Sequence, residues 1–235
     1  TATTFLSMES LFLTLLGELI KWDTFILLHI NQVHSTFWDE FMYIYSAKFV
    51  WVPLYMSFFY VLVRTFSWRV ALGCLLTAIA IIALSDQICS TLIRPYVGRL
   101  RPSNLDNPIS HMVHVVNDYR GGEYGFPSAH AANGWGFTCF VAYIYRRHWL
   151  TFFTVLWSLL MCWTRVYLGV HYPGDLLVGA LLGFVCATVV YKVFLLLTKH
   201  QHPDDVRHVY LPVIVGLLTI FCIFVYSLCD YMQWI

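Results

Sequence analysis

The chain has 235 residues, 59% of them hydrophobic, 18% aromatic and only 11% charged, with a mean hydropathy of +0.67. That balance excludes a soluble globule, and a net charge of +1 with a pI near 7.6 argues against a nucleic-acid-binding surface. The 7 cysteines fall in or beside the apolar runs without a CxxC pair, so small buried hydrophobes are expected rather than a disulfide framework or a zinc site.

Thr1 to Ser7 precede Met8 and are expected to be an expression leftover, with residues 8–235 forming a single integral membrane domain. The stretch MESLFLTLLGELIKWDTFILLHIN follows. Its Leu11, Phe12, Leu15, Leu16, Leu19 and Ile20 recur at helical spacing, while Glu18, Lys21, Asp23 and His29 interrupt the apolar pattern. This predicts an amphipathic helix lying in the membrane interface rather than crossing it.

Six apolar runs come next, each read as a helix crossing a hydrocarbon core of roughly 30 Å. They are Phe49 to Val63, Val70 to Ile93, Ser128 to Tyr145, Trp149 to Thr164, Leu176 to Leu197 and Tyr210 to Cys229. The expected fold is therefore all-α, a polytopic transmembrane helix bundle with about six spans and the N-terminal interfacial helix. The connections leave no room for a soluble domain, and there are no internal repeats or low-complexity tracts.

The loops set the orientation. One side holds Arg64, Arg69, Arg146, Arg147, Lys192, Lys199 and Arg207; the other holds Lys21, Lys48, Arg94, Arg99, Arg101, Arg120 and Arg165. Arg94, Arg101 and Arg165 have a separate reason to be charged, given below. Without them seven basic residues face four, which makes the first side cytoplasmic and the second outward-facing. The long hydrophilic connection Arg94 to Phe126 lies on the second side, and a loop of that length is more often functional than filler.

Three polar clusters share that outward side. In IRPYVGRLRP, residues 93 to 102, Pro95 is expected to end the preceding helix and leave Arg94 at its mouth, with Arg99 and Arg101 following. These arginines fit either interfacial anchoring or a clamp for an anionic oxygen group, which guanidinium forks match in geometry. In GFPSAH, Pro127 is expected at the first helical position. Ser128, Ala129 and His130 would then lie in the first turn, where free amides and the helix dipole favour an anion. An ordinary Pro-Ser helix start is the plainer reading.

The third cluster is TRVYLGVHYPGD, residues 164 to 175. A helix starting near Tyr172 puts His171 just before it and Asp175 in its first turn, where a carboxylate reaches back toward the residues before the helix. Asp175 could hold one imidazole nitrogen of His171 and leave the other free, as a nucleophilic histidine requires; it could equally be a simple capping acid. Arg165 ends the fourth run on the same side. Topology lets all three clusters converge on one anion site able to break a phosphorus–oxygen bond.

These residues carry a resemblance. Arg94 with Arg101-Pro102, then Pro127-Ser128-Ala129-His130, then Thr164-Arg165 with His171 and Asp175 match in order and spacing the three-part pattern of the type 2 phosphatidic acid phosphatase superfamily. Those membrane lipid phosphate phosphatases share their site with vanadium haloperoxidases. The resemblance covers about residues 48–197 and departs from the pattern at Arg94 for lysine, Ala129 for glycine and Thr164 for serine.

It implies that His171 attacks phosphorus and becomes phosphohistidine, that Asp175 orients it, and that His130 is the general acid and then base. Arg94, Arg101, Ser128, the Ala129 amide and Arg165 would bind the phosphate oxygens, with no metal and no cofactor. The expected substrate is a membrane lipid phosphate or diphosphate met at the bilayer surface: a lipid A phosphate, undecaprenyl diphosphate, phosphatidylglycerophosphate or phosphatidic acid. The arginine-rich loop leans toward lipid A or a polyprenyl carrier. The expected location is a bacterial inner membrane with the site in the periplasm. Rival readings are a transporter or binding protein for an anionic lipid headgroup, and a vanadate-dependent halide oxidase.

Overall fold

All six apolar runs fold as helices in the structure of the chain, a computed structural model that describes residues 2–198 and 208–233, with side chains from residue 10 onward. Lys199 and Arg207, which entered the loop-charge comparison, lie outside the described residues. In chain order the helices are α1 (Ala2–Asn31), α2 (Thr36–Tyr45), α3 (Val52–Thr65), α4 (Trp68–Gln87), α5 (Arg94–Val97), α6 (Ala129–Tyr145), α7 (His148–Tyr167), α8 (Pro173–Thr198) and α9 (Leu211–Tyr231). Among the described residues there is no strand, only an isolated antiparallel bridge between Leu100 and Tyr124.

Among the described residues, four segments are long and apolar enough to cross a membrane: Trp68–Val97, His148–Tyr167, Pro173–Thr198 and Leu211–Tyr231. The first predicted run reaches that standard only when Thr36–Tyr45 is joined to Lys48–Thr65 across a 64° bend. Alone, the 14 residues of α3 span about 21 Å at ~1.5 Å per residue. The third run, the 17-residue α6, lies against α4, α7 and α8. It is surrounded by protein, which is why it can begin with polar residues. The chain is thus an all-α integral membrane bundle.

Small side chains put α6 in that central place. Ala129, Ala131, Ala132, Gly134 and Gly136 are all buried. Opposite them, a Cβ on Gly179 or Gly183 of α8 would run into the carbonyl oxygens of Ser128 and Ala132. Close backbone approach of this kind drives helix association in lipid, where apolar burial gives little discrimination. The same contact draws the two helix starts together, and Ser128 N–H donates to the Asp175 carbonyl at 2.9 Å.

One expectation is corrected. Pro95 does not end the second span: the helix passes through a π turn, Ile88–Ile93, and continues as α5. The change of register puts Pro95 in a new first turn, where its missing N–H is not needed. Gly98, at φ +60°, ends it instead. The N-terminal helix α1 carries Leu11, Phe12, Leu15, Leu16, Leu19 and Ile20 at the expected helical spacing, and all six are exposed. Its C-terminal half docks on the bundle, with Leu27 packed against Ala131, Val166, Tyr172 and Leu176.

Candidate active site

The start of α8 builds the first part of the site. Asp175 sits in its first turn and its Oδ2 accepts the Tyr172 N–H at 3.1 Å, the backward reach expected of a carboxylate there. The same oxygen lies 3.3 Å from His171 Nδ1. On the far side of the ring, Arg101 Nη1 is 2.9 Å from His171 Nε2. A guanidinium only donates, so Nε2 accepts, and the imidazole proton stays on Nδ1 toward Asp175. This fixes both tautomer and ring direction. His171, Asp175 and Arg165 are essentially inaccessible to solvent, at 0%, 0% and 1% exposure.

Charge and burial act together on that ring. His171 titrates well below the ordinary histidine value of 6.5, first because it is buried and then because Arg101, Arg165 and Arg94 repel a proton. Burial, with Arg94 and Arg165 nearby, brings Arg101 itself down to about 10. Both therefore keep the forms an anion site needs near neutrality: a neutral imidazole and a charged guanidinium.

The long loop supplies Arg101 and is tied down at several points. Arg101 N–H donates to the Glu123 carbonyl at 3.1 Å, and Gly125 N–H to the Arg99 carbonyl at 2.9 Å. Asn107 Nδ2 donates to the Arg101 carbonyl at 3.0 Å and to Tyr172 Oη at 3.1 Å, tying the loop to the start of α8. Arg101 Nη1 also donates to the Val170 carbonyl at 3.0 Å. Gly125 passes so close that a Cβ there would meet Asp175 Oδ2 at 2.9 Å. The loop thus closes over the imidazole.

The start of α6 differs from expectation. Pro127 lies outside the helix, and Ser128 is the N-cap, its hydroxyl accepting from Ala131 N–H at 3.5 Å. The cap falls two positions later than the proline pattern suggested, because serine in an extended backbone conformation satisfies a free amide that proline cannot. Ala129 and His130 remain in the first turn. Arg94 donates from Nε and Nη2 to the Pro127 carbonyl at 3.3 and 3.1 Å, binding the second span to this turn.

A cavity of about 590 Å³ opens beside these elements. Arg94, Arg101, Ala129 and His130 line one part of it, and Trp51, Tyr55, Trp157 and Met161 give the rest an aromatic and apolar wall. Arg165 stands behind, donating from Nη2 to Tyr119 Oη at 3.0 Å. Burial pushes the Tyr119 phenol up, but the charge and hydrogen bond of Arg165, together with the charges of Arg101 and Lys48, outweigh it and bring the phenol below its usual value. The buried Nε atoms of Arg101 and Arg165 have no hydrogen-bond partner. Unspent buried donors are destabilising unless a ligand takes them, and a phosphate oxygen is a suitable acceptor.

Arg101 joins two groups of predicted residues: it contacts His171, which Asp175 holds from the other side, and it lines the cavity with Arg94, Ala129 and His130, while the Arg165 side chain pairs with Tyr119. Ser128 serves as cap and as tie to α8. Sequence reasoning left four residues near the site unassigned: Arg99, Asp23, Tyr119 and Lys48, the last of which also lines the cavity. Arg99 donates to Asp175 Oδ1 at 2.8 Å and to Asp23 Oδ2 at 2.6 Å. The one signal for Asp23 was its register in α1, where Asp23, Leu27 and Asn31 fall four residues apart on one stripe.

The family model described as PAP2 superfamily matches residues 71–199. The chain is 44% identical over 215 residues to a lipid A 4'-phosphatase of Bacteroides thetaiotaomicron, covering 88% of this chain and 95% of the relative. It is 33% identical over 170 residues to the lipid A 4'-phosphatase of Porphyromonas gingivalis, covering 72% and 71%. An undecaprenyl-diphosphatase of Sulfolobus acidocaldarius is 26% identical over 142 residues, covering 59% and 61%. Among solved structures, the crystal structure of Aquifex aeolicus LpxE gives a TM-score of 0.53 at 20% identity, covering 71% of this chain and 93% of that one, a likeness of fold.

Proposed function

The chain belongs to the PAP2 superfamily, and from that premise we propose that it is a lipid A phosphatase working through a phosphohistidine on His171. The observation that carries the mechanism is the line Asp175–His171–Arg101, in which a carboxylate fixes one ring nitrogen and a phosphate-binding guanidinium covers the other. Two relatives with the printed name lipid A 4'-phosphatase carry the substrate class.

On binding, the phosphate oxygens draw the Arg101 fork away from Nε2 and free its lone pair. Nε2 attacks phosphorus in line, the N–P bond forms, and the P–O bond to the sugar breaks. The negative charge of the bound phosphate would favour a protonated His130, which gives that proton to the departing alkoxide. Arg94, Arg101, Arg165, the Ser128 hydroxyl and the Ala129 amide hold the three non-bridging oxygens as charge spreads over them. Asp175 stabilises the imidazolium-like ring that results. Water then attacks phosphorus, His130 takes a proton from it, and the N–P bond breaks to release inorganic phosphate. None of these steps requires a metal ion or cofactor.

The site lies at one end of the bundle, where α6 and α8 begin and α7 ends. A lipid tail can reach the cavity from the bilayer while the phosphorylated sugar stays at the surface. The distribution of loop charges favours an outward-facing end, which supports a site in the periplasm of a bacterial inner membrane.

The test is phosphate release by the detergent-purified protein, with EDTA present, from a panel of lipid A, undecaprenyl diphosphate, phosphatidylglycerophosphate and phosphatidic acid. Lipid A is expected to turn over fastest, and His171→Ala to abolish turnover while reaching wild-type levels in the membrane. Binding without turnover would mark a transporter or binding protein. A faster undecaprenyl diphosphate reaction would move the substrate class, and wild-type turnover by His171→Ala would end the nucleophile assignment.

A further inference from the structure

We propose that Asp23, on the N-terminal helix, and Arg99 are positioning residues of the reaction: Asp23 holds Arg99, and Arg99 holds Asp175 in the orientation that serves His171. The proposal rests on the reading of His171 as nucleophile and Asp175 as its support. Asp23 precedes residues 71–199 that match the family model, so a helix outside the matched region becomes part of the working site.

The geometry is specific. Asp175 divides its oxygens, Oδ2 facing His171 Nδ1 and the Tyr172 N–H while Oδ1 accepts from Arg99 Nη1 at 2.8 Å. Arg99 Nη2 reaches the other way, to Asp23 Oδ2 at 2.6 Å. Its guanidinium carbon lies 3.8 Å from the centre of the Tyr172 ring, which keeps the fork flat against the residue next to His171. The remaining oxygen of Asp23 accepts the Gly174 N–H at 2.7 Å, a free amide at the start of α8. A Cβ at position 174 would meet Asp23 Oδ2 at 2.9 Å, so glycine is what permits the carboxylate to approach.

Burial makes the arrangement more than a surface ion pair. The Asp175 side chain is fully buried, and Arg99 and Asp23 retain only 23% and 12% exposure. One guanidinium shared between two carboxylates is held at both ends, so it cannot follow Asp175 if that side chain turns. The rest of the α1 stripe supports the same segment: Leu27 packs on Val166 and Tyr172, and Asn31 Nδ2 donates to the Tyr167 carbonyl at 2.6 Å. Asp23, Leu27 and Asn31 together brace residues 166–174 from behind.

Without the Asp23 charge, Arg99 has one carboxylate left and draws Asp175 toward itself, away from His171 Nδ1. The ring then loses its fixed direction, which affects turnover more than substrate binding. Asp23→Asn is the direct test, because its amide oxygen can still accept from Gly174 while its amide nitrogen opposes Arg99. Expected is a fall in kcat of roughly ten- to a hundredfold, the scale of a slightly misplaced reacting group, with KM within about twofold. Adding Arg99→Met to Asp23→Asn is expected to lower kcat by less than about twofold more, since the two act in series.

Wild-type kcat in Asp23→Asn, a change confined to KM, or fully multiplicative losses in the double variant would overturn the proposal. If Asp23→Asn does not accumulate in membranes, Arg99→Lys asks the same question: it keeps the charge, loses the two-ended fork, and is expected to show the same selective loss of kcat. Wild-type kcat there counts against the proposal equally. His171→Ala, measured alongside, separates the two levels: if it is active, the nucleophile reading fails; if it is inactive while Asp23→Asn is normal, only this inference fails.

Discussion

Arg101 Nη1 and His171 Nε2 stand 2.9 Å apart, so the group that would grip the phosphate also caps the nitrogen that would attack it. The two roles are exclusive in time. In the proposed reaction, a bound phosphate would draw the Arg101 fork away and uncover Nε2.

Replacing Arg101 with Met should therefore lower kcat/KM by on the order of 10²–10³, the loss typical of removing one donor to a developing oxyanion. Arg101→Lys keeps a charge but not the fork, and should recover only part of it. Steady-state phosphate release from lipid A checks both variants.

The pH profile follows from the direction of the His171 shift. Only the neutral ring attacks, so kcat/KM rises with pH through the His171 titration. Because that titration is pushed well below 6.5, activity should persist to pH values well under 6.5 before the acid limb appears. Arg101→Met removes a repelling charge, so its acid limb should move upward in pH. A limb that stays in place would show that another group controls it.

His130 lines the cavity beside Arg94 and Arg101, where it can reach a leaving group. For lipid A, His130→Ala should reduce kcat/KM by roughly 10²–10⁴, the range for general acid catalysis. An aryl phosphate with a stable phenolate leaving group needs no proton, so its kcat/KM should fall much less. Equal losses on both substrates would argue against the acid role.

Asp175→Asn keeps the side-chain shape but presents an amide to His171 Nδ1 and removes the charge facing Arg99. Turnover should drop by about 10³–10⁴, as when a triad aspartate is replaced by asparagine and the histidine tautomer is lost. Measurement of kcat in purified protein tests this.

Packing between α6 and α8 should be equally sensitive. Gly183→Val drives a side chain into the Ala132 carbonyl. A destabilisation of about 1–3 kcal/mol is expected from overpacking. It should appear as a lower thermal midpoint in detergent together with reduced kcat, because Ser128 and Asp175 are joined across the same contact.

Hydropathy and local motif spacing located much of this. The helical character of every apolar run, the backward reach of Asp175 to Tyr172, and the meeting of His171, Asp175 and Arg101 were legible, because each depends on residues a helix turn apart or on which end of a span they occupy. The passage of the helix through Pro95 and the Ser128 cap were not, since a π turn and an N-cap answer to backbone partners that a single sequence does not name. The number of spans shifted for a related reason: α6 is helical by pattern, but protein neighbours rather than length account for its stability.

By itself, then, the sequence determined a helical membrane chain with three polar clusters facing one side, because apolar spacing and helix-end chemistry are local. The tertiary structure alone decided that Arg99 would be shared by Asp175 and Asp23, each 76 residues away along the chain in opposite directions. It also decided that Arg101 would cover His171 Nε2. Partners at such separations are selected by which helices pack together, and here close approach at glycine and the burial of charge leave those carboxylates and guanidinium groups stable only in each other's company.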